Sequence, residues 1–137
     1  QQTQGQKSGS DARENSEDGS MIKLKRAYDV ATPDDGARFL VERLWPRGVA
    51  KADLPLEGWL KDIAPSARLR TWYHHDVARW PEFRTRYLAE LEHNAEALDP
   101  LRRAVRHGTV TLVYAARDVE HNSAVVLKEF LERRVGR

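Results

Sequence analysis

The sequence predicts an α/β fold, a small single-domain sandwich with a mixed or mostly parallel sheet flanked by helices. Three observations carry that expectation. Two runs with strand periodicity lie near residues 22–28 and 39–45; a helical period dominates 66–107; and a β-branched run at 110–116 leads into a last amphipathic segment. The 137 residues suffice for one compact domain and are too few for two comfortable ones. No internal repeat is visible.

Residues 1–20 hold no aliphatic side chain larger than Ala12 and no aromatic one. Such a stretch buries too little apolar surface to offset its ordering entropy, so it is expected to be a disordered tail or an expression remnant, with 21–137 the single α/β domain. Ile22 and Leu24 then alternate with Lys23 and Lys25 in a strand running to Tyr28. Its outward lysines suit a sheet edge, where they discourage unwanted pairing. Thr32 to Gly36 has turn chemistry. The second strand is expected from Phe39 to Trp45, presenting Arg43 and Trp45 on one face before Pro46 and Gly48 break it.

Residues 49–64 show no clear period, and Trp59 to Ala64 suits either a short strand or a surface excursion. Ser66 is expected to cap a helix through about His75 with Leu69, Trp72 and Tyr73 inward. Trp80-Pro81 opens the longest helix, because proline at the first turn loses no hydrogen bond. Trp80, Phe83, Tyr87, Leu91, Ala95 and Leu98 form its apolar stripe. Asp99-Pro100 reads as the start of another short helix that ends at Gly108. Val110 to Ala116 is the pattern of a central strand buried on both faces. Asp118 is the expected cap of the last helix, which turns Val126, Leu127, Phe130 and Leu131 inward.

Bulk properties exclude several classes of function. The net charge of +2 combines −2 on residues 1–20 with +4 on the remainder, an excess compatible with an anionic ligand and far from the basic stripe of a dedicated nucleic-acid binder. There is no cysteine, which removes disulfides, thiolate metal sites and thiol nucleophiles. The longest apolar run, Val110 to Ala116 counting Thr111, falls well short of the roughly 20 residues that span a bilayer, so no membrane partner is expected. No secretory pattern opens the sequence, and a cytoplasmic address is the default.

In open α/β sheets, ligands collect beyond the carboxyl ends of the strands. Arg26 lies at the first strand's exit, and Arg43, Trp45, Arg47 and Gly48 at the second. There guanidinium groups could clamp a phosphate or carboxylate while the turn exposes backbone N–H groups. Equally, Arg43 could pair with Glu42 or Asp62, with Trp45 simply packing. The junction Tyr114 to Asn122 supplies Arg117, His121 and Asn122 beside a helix start, a ready anion site, although a plain Asp118 cap with exposed His121 is the commoner outcome. Arg70 and His74 share a helical face, and histidine suits proton transfer, whereas His75 reads as a surface residue. Histidines at metal-binding spacing are absent, so no metal is expected. The common nucleotide and serine-hydrolase signatures are missing too, which leaves any cofactor undetermined.

Five segments together resemble a known family: Lys25-Arg26-x-Tyr28-Asp29, Leu40 to Gly48, Pro65-Ser66-x-x-Leu69-Arg70, Phe83-x-x-x-Tyr87-x-x-Glu90-Leu91 and Thr111 to Ala116. They look like the YeaO-like branch of the domain-of-unknown-function 488 (DUF488) family, over about Ile22 to Leu131. The resemblance implies a small, cytoplasmic, bacterial α/β protein and names no activity. Other branches look as if they carry a cysteine and a Cys-His-Arg-type motif around the final strand and helix, where this chain has Tyr114 and His121-Asn122-Ser123. A thiol or metal mechanism therefore does not carry over, and an arginine-rich pocket remains the shared candidate.

The expected function is binding of a small anionic, phosphate- or carboxylate-bearing ligand, with catalysis left open. Arg26, Arg43, Trp45, Arg47, Gly48, Arg70, Arg117 and Asn122 are the ligand-binding candidates, and His74, His121 and Tyr114 the proton carriers. The alternative is a nucleic-acid- or protein-binding module using Arg68, Arg70, Arg79, Arg84 and Arg86 with Trp72 and Trp80. The sequence does not indicate the oligomeric state.

Overall fold

A computed structural model of the chain describes residues 21–135; the expected tail, 1–20, lies outside the described residues. Its strands are β1 (Ile22–Arg26), β2 (Ala37–Leu40), β3 (Gly58–Trp59) and β4 (Val110–Tyr114). Its helices are α1 (Ala67–Tyr73), α2 (Trp80–Glu92), α3 (Ala95–His107) and α4 (Ser123–Val135). The strands form one sheet in the order β1-β4-β2-β3, and every pairing is parallel.

Register divides the side chains between the two faces. Ile22, Leu24, Val110, Leu112, Tyr114, Ala37 and Phe39 share one face. They join the core built with Leu69, Tyr87, Leu98, Val105, Leu127 and Phe130, so the helices cover this face alone. Leu40 and Val113 lie on the other and pack with Leu54, Trp45, Val49, Leu56 and Trp59. The long connection between β2 and β3 thus serves as the second covering layer. Its lack of period follows from that role, because an irregular cover needs only scattered apolar anchors. As the central strand, β4 is buried at every position, as its continuous apolar run predicts.

Asp35 anchors the polar part of the second face. It is fully buried, and its carboxylate accepts from Lys25 Nζ at 2.9 Å, Arg38 Nη1 at 2.6 Å and the Thr32 N–H at 3.1 Å. Burial alone would raise its pKa, but donation from Lys25, Thr32 and Arg38 prevails and holds it well below the usual carboxylate range. Its carbonyl accepts from the buried Thr111 hydroxyl at 2.7 Å.

Several boundaries differ from expectation, each for a local reason. The second strand stops at Leu40 and does not reach Trp45. Val41 still donates to Val113, but the next donor of β4's path, Ala115 N–H, goes to the Glu42 carboxylate at 2.9 Å. A side chain has taken over the acceptor role, and the backbone ladder ends. The expected Trp80-to-Leu98 stripe is divided between α2 and α3 at Asn94, and Pro100 lies inside α3, where one helical hydrogen bond is forgone. The last helix begins at Ser123 rather than near Asp118. Asp118 caps a preceding turn by accepting from the Glu120 and His121 N–H groups, and Asn122 caps the helix by accepting from Val125 N–H at 3.1 Å.

Candidate functional site

Because the strands are parallel, their carboxyl ends open on one edge of the sheet, and the chain leaves β2 and β4 side by side there. A cavity of about 380 Å³ lies at that edge. From the β2 exit comes Glu42; from the β4 exit and the start of α4 come Ala116, His121, Asn122 and Ser123. The opposite wall is α1 with its C-terminal turn, contributing Arg70, Thr71, Tyr73, His74 and His75, and Phe83 of α2 and Pro65 complete the lining.

Glu42 is the carboxylate of the site. Its Oε2 is fixed by Ala115 N–H, and its carbonyl accepts from Trp59 Nε1 at 2.7 Å. Burial raises its pKa, while the Ala115 N–H, Arg70 and His75 act in the opposite sense. Arg70 donates Nε to the Pro65 carbonyl at 3.2 Å and makes no ion pair among the described residues, so its guanidinium is anchored at one edge only.

His74 and His75 enter through backbone geometry. Both hold positive φ, 43° and 57°, a region that costs non-glycine residues free energy. The first left-handed residue ends α1, with His74 N–H bonded to the Arg70 carbonyl at 3.0 Å. The aromatic wall is better packed. Tyr73 stacks on Phe83 at 4.3 Å, and its hydroxyl donates to the His121 carbonyl at 3.1 Å. Burial raises the Tyr73 pKa, reinforced by Asp118 and Asp76. His121 is held by Asp118, with Nδ1 at 2.9 Å from Oδ2, and stands edge-on to Trp80 at 5.3 Å. The Glu120 N–H and His121 donors keep Asp118 below its ordinary pKa.

Of the residues singled out from sequence, Arg70, His74, His121 and Asn122 line this cavity. Asn122 does so while committed to capping, since its Nδ2 also donates to the Asp118 carbonyl at 2.8 Å. Tyr114 is buried in the core and does not line the cavity. Burial raises its pKa, which Arg26 opposes. Arg26 itself spans the β4 exit, donating to the Ala115 and Ala116 carbonyls at 3.1 and 2.8 Å.

The strand-exit arginines point elsewhere. Arg43, Arg47, Gly48 and Arg117 are exposed and do not line the cavity, and the Arg47 carbonyl accepts from the Tyr28 hydroxyl at 3.0 Å. Trp45 belongs to the second face, edge-on to Trp59 at 5.3 Å, with Nε1 donating to the Val49 carbonyl at 2.6 Å. Arg43 and Trp45 were expected to share a strand face, and the strand that would align them ends before either.

Glu42, His75, Tyr73, Thr71 and Ser123 are cavity residues that sequence reasoning did not select for this role. The available signal for Glu42 is its charge inside an apolar run, for which pairing with Arg43 is one of the explanations the sequence offers. On the helical surface, Arg84 pairs with Glu129 and Arg86 with Glu82, while Arg79 and Arg86 flank the Trp72 ring at 5.2 and 4.5 Å. Among the described residues no group of three or more His, Asp or Glu could hold a metal ion, and no helix is long and apolar enough to cross a membrane.

A family model described as the inactive DUF488-N3 subclade matches residues 21–137. Among curated proteins, an uncharacterized protein of Mycobacterium tuberculosis, Rv3073c, is 44% identical over 115 residues, covering 84% of this chain and 97% of the relative. The uncharacterized protein YeaO of Escherichia coli is 43% identical over 110 residues, covering 80% and 96%. No solved structure matches the chain.

Proposed function

The chain belongs to the DUF488 family, and from that premise we propose that it is a binding protein, holding a small phosphate- or carboxylate-bearing molecule in the Glu42–Arg70 cavity without turning it over. The observation that carries this is the convergence of Arg70, His74, His75 and His121 on one concave space, with the Arg70 guanidinium in no ion pair among the described residues. Arginine recognises planar anions through paired N–H donors. Ser123, the first residue of α4, adds the positive end of a 13-residue helix to the same wall. A cavity of about 380 Å³ suits a small molecule. Binding without turnover is favoured by the matching subclade, which is described as inactive.

The test is thermal unfolding of the chain with inorganic phosphate, sulfate, sugar phosphates and small carboxylates, repeated with Arg70→Ala. A ligand at about 100 times its dissociation constant should stabilise the native state by roughly 2.7 kcal/mol. The expected result is at least one such anion that stabilises the wild type and has no effect on the variant. Stabilisation that survives Arg70→Ala, or none with any anion, would refute the assignment.

A further inference from the structure

The cavity holds both signs of charge without cancelling them. Glu42 and Arg70 line the same space and form no ion pair with each other, although Arg70 and His75 lie close enough to bias the ionisation of Glu42. One Glu42 oxygen takes the Ala115 N–H; the other, Oε1, accepts from no group among the described residues. A carboxylate so placed would repel a ligand that brought only negative charge, and its second oxygen is free to accept from a ligand's donor. The stacked rings of Tyr73 and Phe83 line the same cavity and give it an apolar stretch of wall.

Resting on the anion-binding assignment above, we infer that the natural ligand is amphoteric: one small molecule with an anionic group for Arg70, a protonated amine for Glu42 and an apolar body against Tyr73 and Phe83. Glu42 then acts as a specificity determinant, rewarding the amine and penalising anions that lack one. The anionic end could be a carboxylate or a phosphate, and matched probes separate the two sources.

The experiment is calorimetric titration of the full chain with two triplets, L-phenylalanine, 3-phenylpropionate and phenethylamine for the carboxylate, and phosphoethanolamine, ethyl phosphate and ethylamine for the phosphate. In one triplet the amphoteric member should bind at least tenfold more tightly than either half. Glu42→Gln, which keeps the acceptor for Ala115 N–H, should bring the ratio of amphoteric to anionic affinity close to one, with far-ultraviolet circular dichroism confirming the fold. An anion that binds the wild type as tightly as its amphoteric counterpart, or a ratio unchanged by Glu42→Gln, overturns the inference and leaves anion binding standing. Absence of binding by all six probes overturns the inference for both sources, and the broader anion screen above then decides whether any anion site exists.

Discussion

At the scale of single residues, the consecutive left-handed histidines are the least expected feature of the chain. A left-handed conformation costs a non-glycine residue on the order of 1–2 kcal/mol, and His74 and His75 hold it in succession at the cavity rim. Glycine is the usual residue where a helix ends this way. His74→Gly is therefore expected to raise the melting temperature by a few degrees, about 0.5 kcal/mol once glycine's extra unfolded-state entropy is set against the relieved strain. Thermal unfolding checks this, and a clear fall would show that the His74 ring stabilises the rim. Glu42 illustrates the other residue-scale device, a carboxylate that ends a β-ladder and also lines a cavity.

Among elements, β2 carries the most consequence for its length. It lies between β4 and β3, and its start is set by the Ala37 N–H bond to the Thr109 carbonyl at 3.0 Å. Gly36 makes that start possible: its φ is 66°, and a Cβ there would lie 2.1 Å from the Thr109 oxygen. Gly36→Ala should thus lose about 2–3 kcal/mol, from backbone strain and from displacement of β2 against β4. Urea denaturation measures it, and a loss under about 1 kcal/mol would mean that the turn adjusts freely. The β2–β3 connection is the second element of note, since it covers one sheet face with Leu54, Trp45 and Leu56 in place of a helix.

For the molecule as a whole, Asp35 is the polar tie between strands distant in sequence. It accepts from Lys25 of β1 and Arg38 of β2, and its carbonyl bonds Thr111 of β4. Removing the charge leaves buried Arg38 without its carboxylate, and breaking such a pair costs about 3–5 kcal/mol. Asp35→Asn should show a loss of that order at neutral pH. The sign of the pH dependence follows from the depressed native pKa: the stability is present above the unfolded value of 3.8 and is lost as pH falls below it towards the native pKa. The gap between wild type and variant should then narrow under acid conditions. Chemical unfolding at pH 7 and pH 3 tests this, and a gap independent of pH would place the effect of Asp35 in something other than its charge.

Local pattern determined the fold class, the central burial of β4, the Ser66 cap and the inward face of α4, because period, capping chemistry and apolar runs act over a few neighbouring residues. It also placed the candidate site at the carboxyl edge of a parallel sheet and brought forward Arg70, His74, His121 and Asn122. Tertiary structure decided the remainder. Whether β2 reached Trp45 depended on Glu42 capturing an N–H from a strand 73 positions away. That contact directed Arg43 and Arg47 to the surface and left Glu42 facing the cavity. The partner of a polar side chain is chosen by packing between segments remote in sequence, and no local period encodes that choice.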